Sequence, residues 1–141
     1  MGLFAIQILR KIGYRVVAVP GAKHHDLVRS YGAHEVVDYK DPEAAIRRIL
    51  AITKGGVDIG LDTISEGKSY EISVRSFKEG GGRLNAILWP TEEDKKIRPD
   101  VQIVSTLMYT LFGKVSDRIL KLALHVTSGH SLTCSRSRHT V

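Results

Sequence analysis

Lys23, His24 and His25 stand together in the run Pro20-Gly21-Ala22-Lys23-His24-His25, directly after the apolar, β-branched residues 14–19 (YRVVAV). Nitrogen donors on a turn of this kind suit an anion. In an open parallel sheet, ligands sit beyond the carboxyl ends of the strands, and this turn leaves a strand at such an end. A solvated turn is the plain alternative for Lys23. The histidines offer no metal signature: His24, His25, His34, His125, His130 and His139 have no cysteine or glutamate at ligand spacing, and adjacent histidines point apart. No nucleophile has a base near it, and Ser65 and Ser69 read as loop and helix-start residues. The single cysteine, Cys134, excludes an internal disulfide and a four-cysteine zinc lobe, and fits a reducing, cytoplasmic setting.

Composition narrows the class. The chain has 141 residues, 43% hydrophobic and 26% charged, as expected of one globular domain. No apolar run reaches the ~18–20 residues of a membrane span, and the start lacks the features of a signal peptide. The net charge is +6, but no basic stripe interleaved with aromatics is present, so nucleic acid is not an expected partner.

The elements that must position the basic turn follow from periodicity. Residues 2–12 predict a helix, with Ala5, Ile8, Leu9 and Ile12 on one face and Gly13 as its stop. Residues 14–19 predict a buried parallel strand. A short helix over 26–31 and a strand over 35–39 come next. Asp41 as N-cap and Pro42 at the first helical position open a helix to about residue 53, with Ala45, Ile46, Ile49 and Leu50 inward. A strand over 57–62 contains Gly60, which marks a close approach by a ligand or a helix backbone. A helix over 69–77, a Gly80-Gly81-Gly82 return and a strand over 83–88 follow. Residues 89–100 read as a polar loop, and 101–106 as a further strand running on toward Phe112. Residues 116–126 predict a last helix. Residues 127–141 lack periodicity and predict disorder. Alternating short strands and helices call for an α/β fold with a parallel sheet. The expected division is a cofactor-type domain over 1–126 and a tail over 127–141.

Three stretches carry a family resemblance: residues 2–42 (GLFAIQILRKIGYRVVAVPGAKHHDLVRSYGAHEVVDYKDP), residues 61–88 (LDTISEGKSYEISVRSFKEGGGRLNAIL) and residues 98–113 (RPDVQIVSTLMYTLFG). Together they resemble the cofactor domain of medium-chain dehydrogenase/reductases, in the zinc-independent branch of enoyl reductases and quinone-oxidoreductase-like proteins. The resemblance covers about residues 1–114. It implies a Rossmann-like doubly wound parallel sheet that binds NADPH beside a separate catalytic domain. Of the family's first strand and glycine-rich turn only Gly2 has a match, so a sheet lacking its first strand is expected. In the strand order 3-2-1-4-5-6, a slot of about two strand spacings, ~10 Å, should separate residues 14–19 from residues 57–62.

The resemblance also implies site residues. Lys23 and His24 follow a strand end that has no carboxylate for a ribose hydroxyl, so Lys23 would pair with a 2′-phosphate. Tyr39 would pack near that phosphate; alone it is an ordinary strand-end aromatic. Asp62 and Thr63 would lie by the nicotinamide ribose, although Asp62 equally serves as a loop cap. Leu88 would lie beside the nicotinamide, with Trp89 as surface cover. The implied reaction is NADPH-dependent reduction of an enoyl thioester or quinone-like acceptor, in the first case beside a polyketide synthase; without the separate catalytic domain this chain, read as a fragment of such an enzyme, is expected to be catalytically incomplete. The other reading is a non-catalytic nucleotide-binding or interaction module.

Overall fold

A computed structural model describes residues 1–105. The continuation toward Phe112, the helix over 116–126 and the tail over 127–141 lie outside the described residues.

The described chain alternates helix and strand. Helix α1 (Gly2–Lys11) leads to strand β1 (Val17–Ala18), a 3-10 turn (Ala22–His24), helix α2 (His25–Ser30) and strand β2 (Glu35–Val36). Helix α3 (Pro42–Thr53) leads to strand β3 (Ile59–Asp62), helix α4 (Lys68–Arg75), strand β4 (Arg83–Ala86), helix α5 (Glu92–Ile97) and strand β5 (Gln102–Ser105). All pairings are parallel, but the strands form two separate sheets, β1–β2 and β3–β4–β5. No strand joins β1 to β3 among the described residues. Among the described residues the sheet is therefore broken between β1 and β3, where the break was expected, and residues 102–105 take the far edge beside β4.

Helix α3 forms as its local chemistry dictates. Asp41 Oδ1 accepts the Ala44 N–H at 3.0 Å, Pro42 begins the helix, and Lys54 ends it in the left-handed region at φ 56°. Its Ala45, Ile46 and Ile49 meet Val37 and Ile72 in one cluster, against which Val17 and Val19 pack from one half-sheet and Val57 from the other. This helix thus joins the two halves. A second cluster, Tyr70, Val74, Phe77, Leu84 and Val101, fills the space between α4 and the three-stranded sheet. A third, Ile6, Val16, Val28 and Ala33, lies under α1 and α2.

Several expectations need correction. The buried stripe of α1 is Leu3, Ile6 and Leu9, while Ile8 (59% exposed) and Ile12 (64%) face outward. The helix turns toward Val16, Val28 and Ala33, and periodicity alone could not choose between two apolar stripes. Strands β1 and β2 are shorter than residues 14–19 and 35–39, since their mutual ladder pairs only Val17 with Glu35 and Ala18 with Val36. The close approach at Gly60 is made by core side chains: a Cβ there would lie 3.0 Å from Phe77 Cζ and 3.1 Å from Leu84 Cδ1. Residues 89–100 contain α5, started by a capping box in which the Thr91 hydroxyl accepts the Asp94 N–H and the Asp94 carboxylate accepts the Thr91 N–H.

Candidate functional site

The carboxyl ends of the strands carry the candidate residues. Beyond β1, Gly21 leads into the 3-10 turn that presents Lys23 and His24 to solvent. Beyond β2, the exposed Tyr39 ring closes on the same turn: a Cβ on Gly21 would sit 3.2 Å from Tyr39 Cε1. The bare glycine lets the ring lie against the turn. Lys23 has no carboxylate within ion-pair distance among the described residues. At the start of α2, directly after this turn, His25 Nε2 is buried without a protein partner. The structure thus brings Lys23, His24 and Tyr39 together at one strand end.

At the other half-sheet the arrangement is tied more tightly. Asp62 ends β3 and is only 4% exposed. Its Oδ1 accepts the N–H groups of Ile64 at 2.9 Å and Ser65 at 2.8 Å. The Ser69 hydroxyl lies 2.9 Å from both carboxylate oxygens, and the Ser73 hydroxyl donates to Oδ2 at 3.2 Å. The carboxylate is therefore fully engaged as the cap of its own loop. Hydrogen bonds to a charged acceptor are the strong ones, so this loop is rigidly placed. Ser65, at φ 55°, extends the network: its hydroxyl donates to the Asp62 carbonyl at 3.1 Å and accepts the Ile87 N–H at 3.0 Å. The Ser105 hydroxyl donates to the Leu88 carbonyl at 3.2 Å. The loops after β3 and β4 and the end of β5 are thereby linked side by side.

Thr63 emerges from this network, and a Cβ on Gly2 would lie 3.6 Å from its Oγ1. The start of α1 and the end of β3 thus meet, bringing Gly2 and Thr63 together. Leu88 stands partly exposed on the β4 loop. The supporting serines, Ser65, Ser69 and Ser73, carry no signal in sequence as a group. Only the spacing of Ser69 and Ser73, one helical turn apart, hints that they face a common partner. Tyr70, on the buried side of α4, has a hydroxyl without a protein partner. Burial first, then the charges of Asp94 and Asp62, push its phenol up to about 12, so it stays protonated at neutral pH. Among the described residues no group of three or more His, Cys, Asp or Glu side chains could hold a metal ion, and no helix is long and apolar enough to cross a membrane.

Parallel strands with helices between them define a Rossmann-like fold. The family pattern described as zinc-binding dehydrogenase matches residues 1–122, and the chain belongs to that family, within the medium-chain dehydrogenase/reductase superfamily. Among curated proteins it is 37% identical over 119 residues to the trans-enoyl reductase ACTTS2 of Alternaria alternata, covering 84% of this chain and 34% of that relative. It is 36% identical over 114 residues to the trans-enoyl reductase mpsG of Macrophomina phaseolina, covering 81% and 32%. The chain thus spans about a third of the length of the relatives it matches. The fold is similar to that of the CurK enoyl reductase, with a TM-score of 0.68 at 23% identity over 89% of this chain and 39% of that one. A mycobacterial protein solved with NADPH gives 0.64 at 20% identity, over 89% and 41%. By family, the chain is of oxidoreductase type.

Proposed function

We propose that this chain is the cofactor-holding part of an NADPH-dependent reductase acting on an enoyl thioester or quinone-like acceptor, in the zinc-independent branch of its family and in a cytoplasmic setting. The observation that carries the reading is the exposed group Lys23, His24 and Tyr39 around Gly21, with no carboxylate paired to Lys23 among the described residues. A ribose 2′-phosphate fits that chemistry, and an unphosphorylated ribose gains little from it. The trans-enoyl reductases among the relatives support the acceptor class, and through it a polyketide synthase as supplier of the thioester.

The residues present fit the cofactor at both ends of the crevice. Lys23 and His24 would hold the 2′-phosphate, with the Tyr39 ring as a wall beside it. Gly2 and Thr63 would border the middle, where a Cβ on Gly2 would lie in ordinary contact with Thr63 Oγ1, at 3.6 Å. Leu88 would supply an apolar surface to the nicotinamide end, and the Asp62 network keeps Thr63 and Leu88 in register. When bound, the cofactor would supply a hydride to the β-carbon of the acceptor. The work left to the chain is orientation and exclusion of water.

Titration of NADPH and NADH against the full chain tests the reading. A lysine–phosphate contact of about 1.5–3 kcal/mol predicts roughly ten- to hundredfold preference for NADPH, lost in Lys23→Ala. Equal affinities in the parent chain, or a preference that survives Lys23→Ala, would refute the assignment. Turnover of a 2-enoyl thioester or a quinone then separates a reductase from a module that only binds nucleotide.

A further inference from the structure

At the opposite end of the β1–β2 half-sheet from Lys23, a shallow depression of about 420 Å³ is lined by Arg10, Gly13, Tyr14, Arg15 and His34. Its polar groups are almost all donors. His34 Nδ1 accepts the Val16 N–H at 3.0 Å, which fixes the neutral ring's proton on Nε2. That Nε2–H lies 3.4 Å from Arg10 Nη1, which is also a donor. Two donors therefore converge with no protein acceptor between them. Arg15 is satisfied by Glu35 at 3.0 Å. Arg10 has only the Gly32 carbonyl, at 3.4 Å, and no carboxylate partner among the described residues. The arginine is aimed there by the backbone: Gly32 has φ 106°, and a Cβ on it would collide with Arg10 Cδ. The stem of Arg10 lies where a side chain at residue 32 would otherwise be.

We propose that this depression is an oxyanion site that takes a phosphoryl group, held by the Arg10 guanidinium and the His34 Nε2–H, with the Tyr14 hydroxyl and Arg15 at its rim. An oxygen of the anion would bridge the two converging donors, and the planar fork of the guanidinium matches a phosphoryl group better than it matches a spherical chloride ion. The site is separate from the cofactor crevice, since it stands where β1 and β2 begin and Lys23 stands where β1 ends.

The test uses the full ¹⁵N-labelled chain and the ring nitrogen signals of its histidines, titrated with inorganic phosphate at constant ionic strength set by chloride. The expected result is a saturable shift of the His34 Nε2 signal, weakened at least tenfold in Arg10→Gln and by less in Arg10→Lys, with the unfolding midpoint of each variant unchanged. No saturable His34 shift, an equal response to chloride alone, or a shift indifferent to Arg10→Gln would overturn the site. A His34 signal that responds to NADPH more strongly than to phosphate would overturn its separateness from the crevice.

Discussion

The two half-sheets are built to different standards. In β1–β2 each strand contributes two residues to the ladder, and the cluster beneath it is made of Ile6, Val16, Val28 and Ala33, all 6–8% exposed. In β3–β4–β5 each strand contributes four residues, β4 is paired on both sides, and Val74 and Leu84 are completely buried. A strand with two neighbours satisfies its whole backbone, while an edge strand leaves half of its groups to water. The region around Lys23, on a two-residue ladder, is the softer one, and the region around Asp62, held by a four-residue ladder and by the Asp62 hydrogen bonds, the stiffer.

Substitutions can break this contrast. Phe77→Ala, which empties the centre of the stiff half, should cost about 3–5 kcal/mol. Ile6→Ala in the soft half should cost nearer ~2 kcal/mol, since Ile6 is less completely enclosed. Chemical denaturation, followed by Trp89 fluorescence and by far-ultraviolet circular dichroism, measures both. Equal losses would show that the halves are equally packed. Asp62→Ala comes next, at roughly 1.5–3 kcal/mol, because it strands the donors of Ile64, Ser65, Ser69 and Ser73. Amide exchange should accelerate at Ile64, Ser65 and Ile87 and remain unchanged in β2.

Smaller effects sharpen the comparison at the helix between the halves. Asp41→Ala should cost about 1 kcal/mol through loss of the α3 cap, lowering the midpoints of both halves together. If only one half responds, α3 does not couple them. Acid should have the smallest effect. Arg75 on α4 pairs with Glu43 on α3 and with Glu71, and the Arg75 hydrogen bond holds the Glu43 carboxyl below its ordinary 4.5. Because the folded value is the lower one, this contribution is present above pH 4.5 and fades as pH falls below it. Glu43→Gln should flatten the acid side of a stability–pH curve, slightly, since the pair is largely exposed.

The same contrast explains what was legible in the sequence. Helix α3 was readable almost to the residue, because Asp41, Pro42 and the spacing of Ala45, Ile46 and Ile49 are local signals. The parallel order of strands and the break between β1 and β3 followed from the alternation and the family resemblance. The extents of β1 and β2 did not, since a strand is only as long as its partner allows. The outward turn of Ile8 and Ile12 depends on what α1 rests upon. Helix α5 had a signal in Thr91 and Asp94 that its many charges obscured. The meeting of Ser69 and Ser73 with Asp62 is a tertiary event, and so is the seat that Gly21 gives Tyr39.

The parallel direction of every ladder among the described residues has a consequence in time. Val17 pairs with Glu35, Ile59 with Arg83 and Arg83 with Gln102, so each pairing closes a loop of about twenty residues, helix included, before any strand contact forms. Among the described residues no hairpin is available to nucleate the sheet cheaply. Chains of this kind acquire their non-local contacts late and slowly compared with helical bundles of equal size. Until β4 has captured both neighbours, the nascent chain displays bare strand backbone and the side chains of Leu84 and Phe77. The interval between synthesis and closure is when this protein is most exposed to misassociation, and the pace of β4 pairing sets how long that interval lasts.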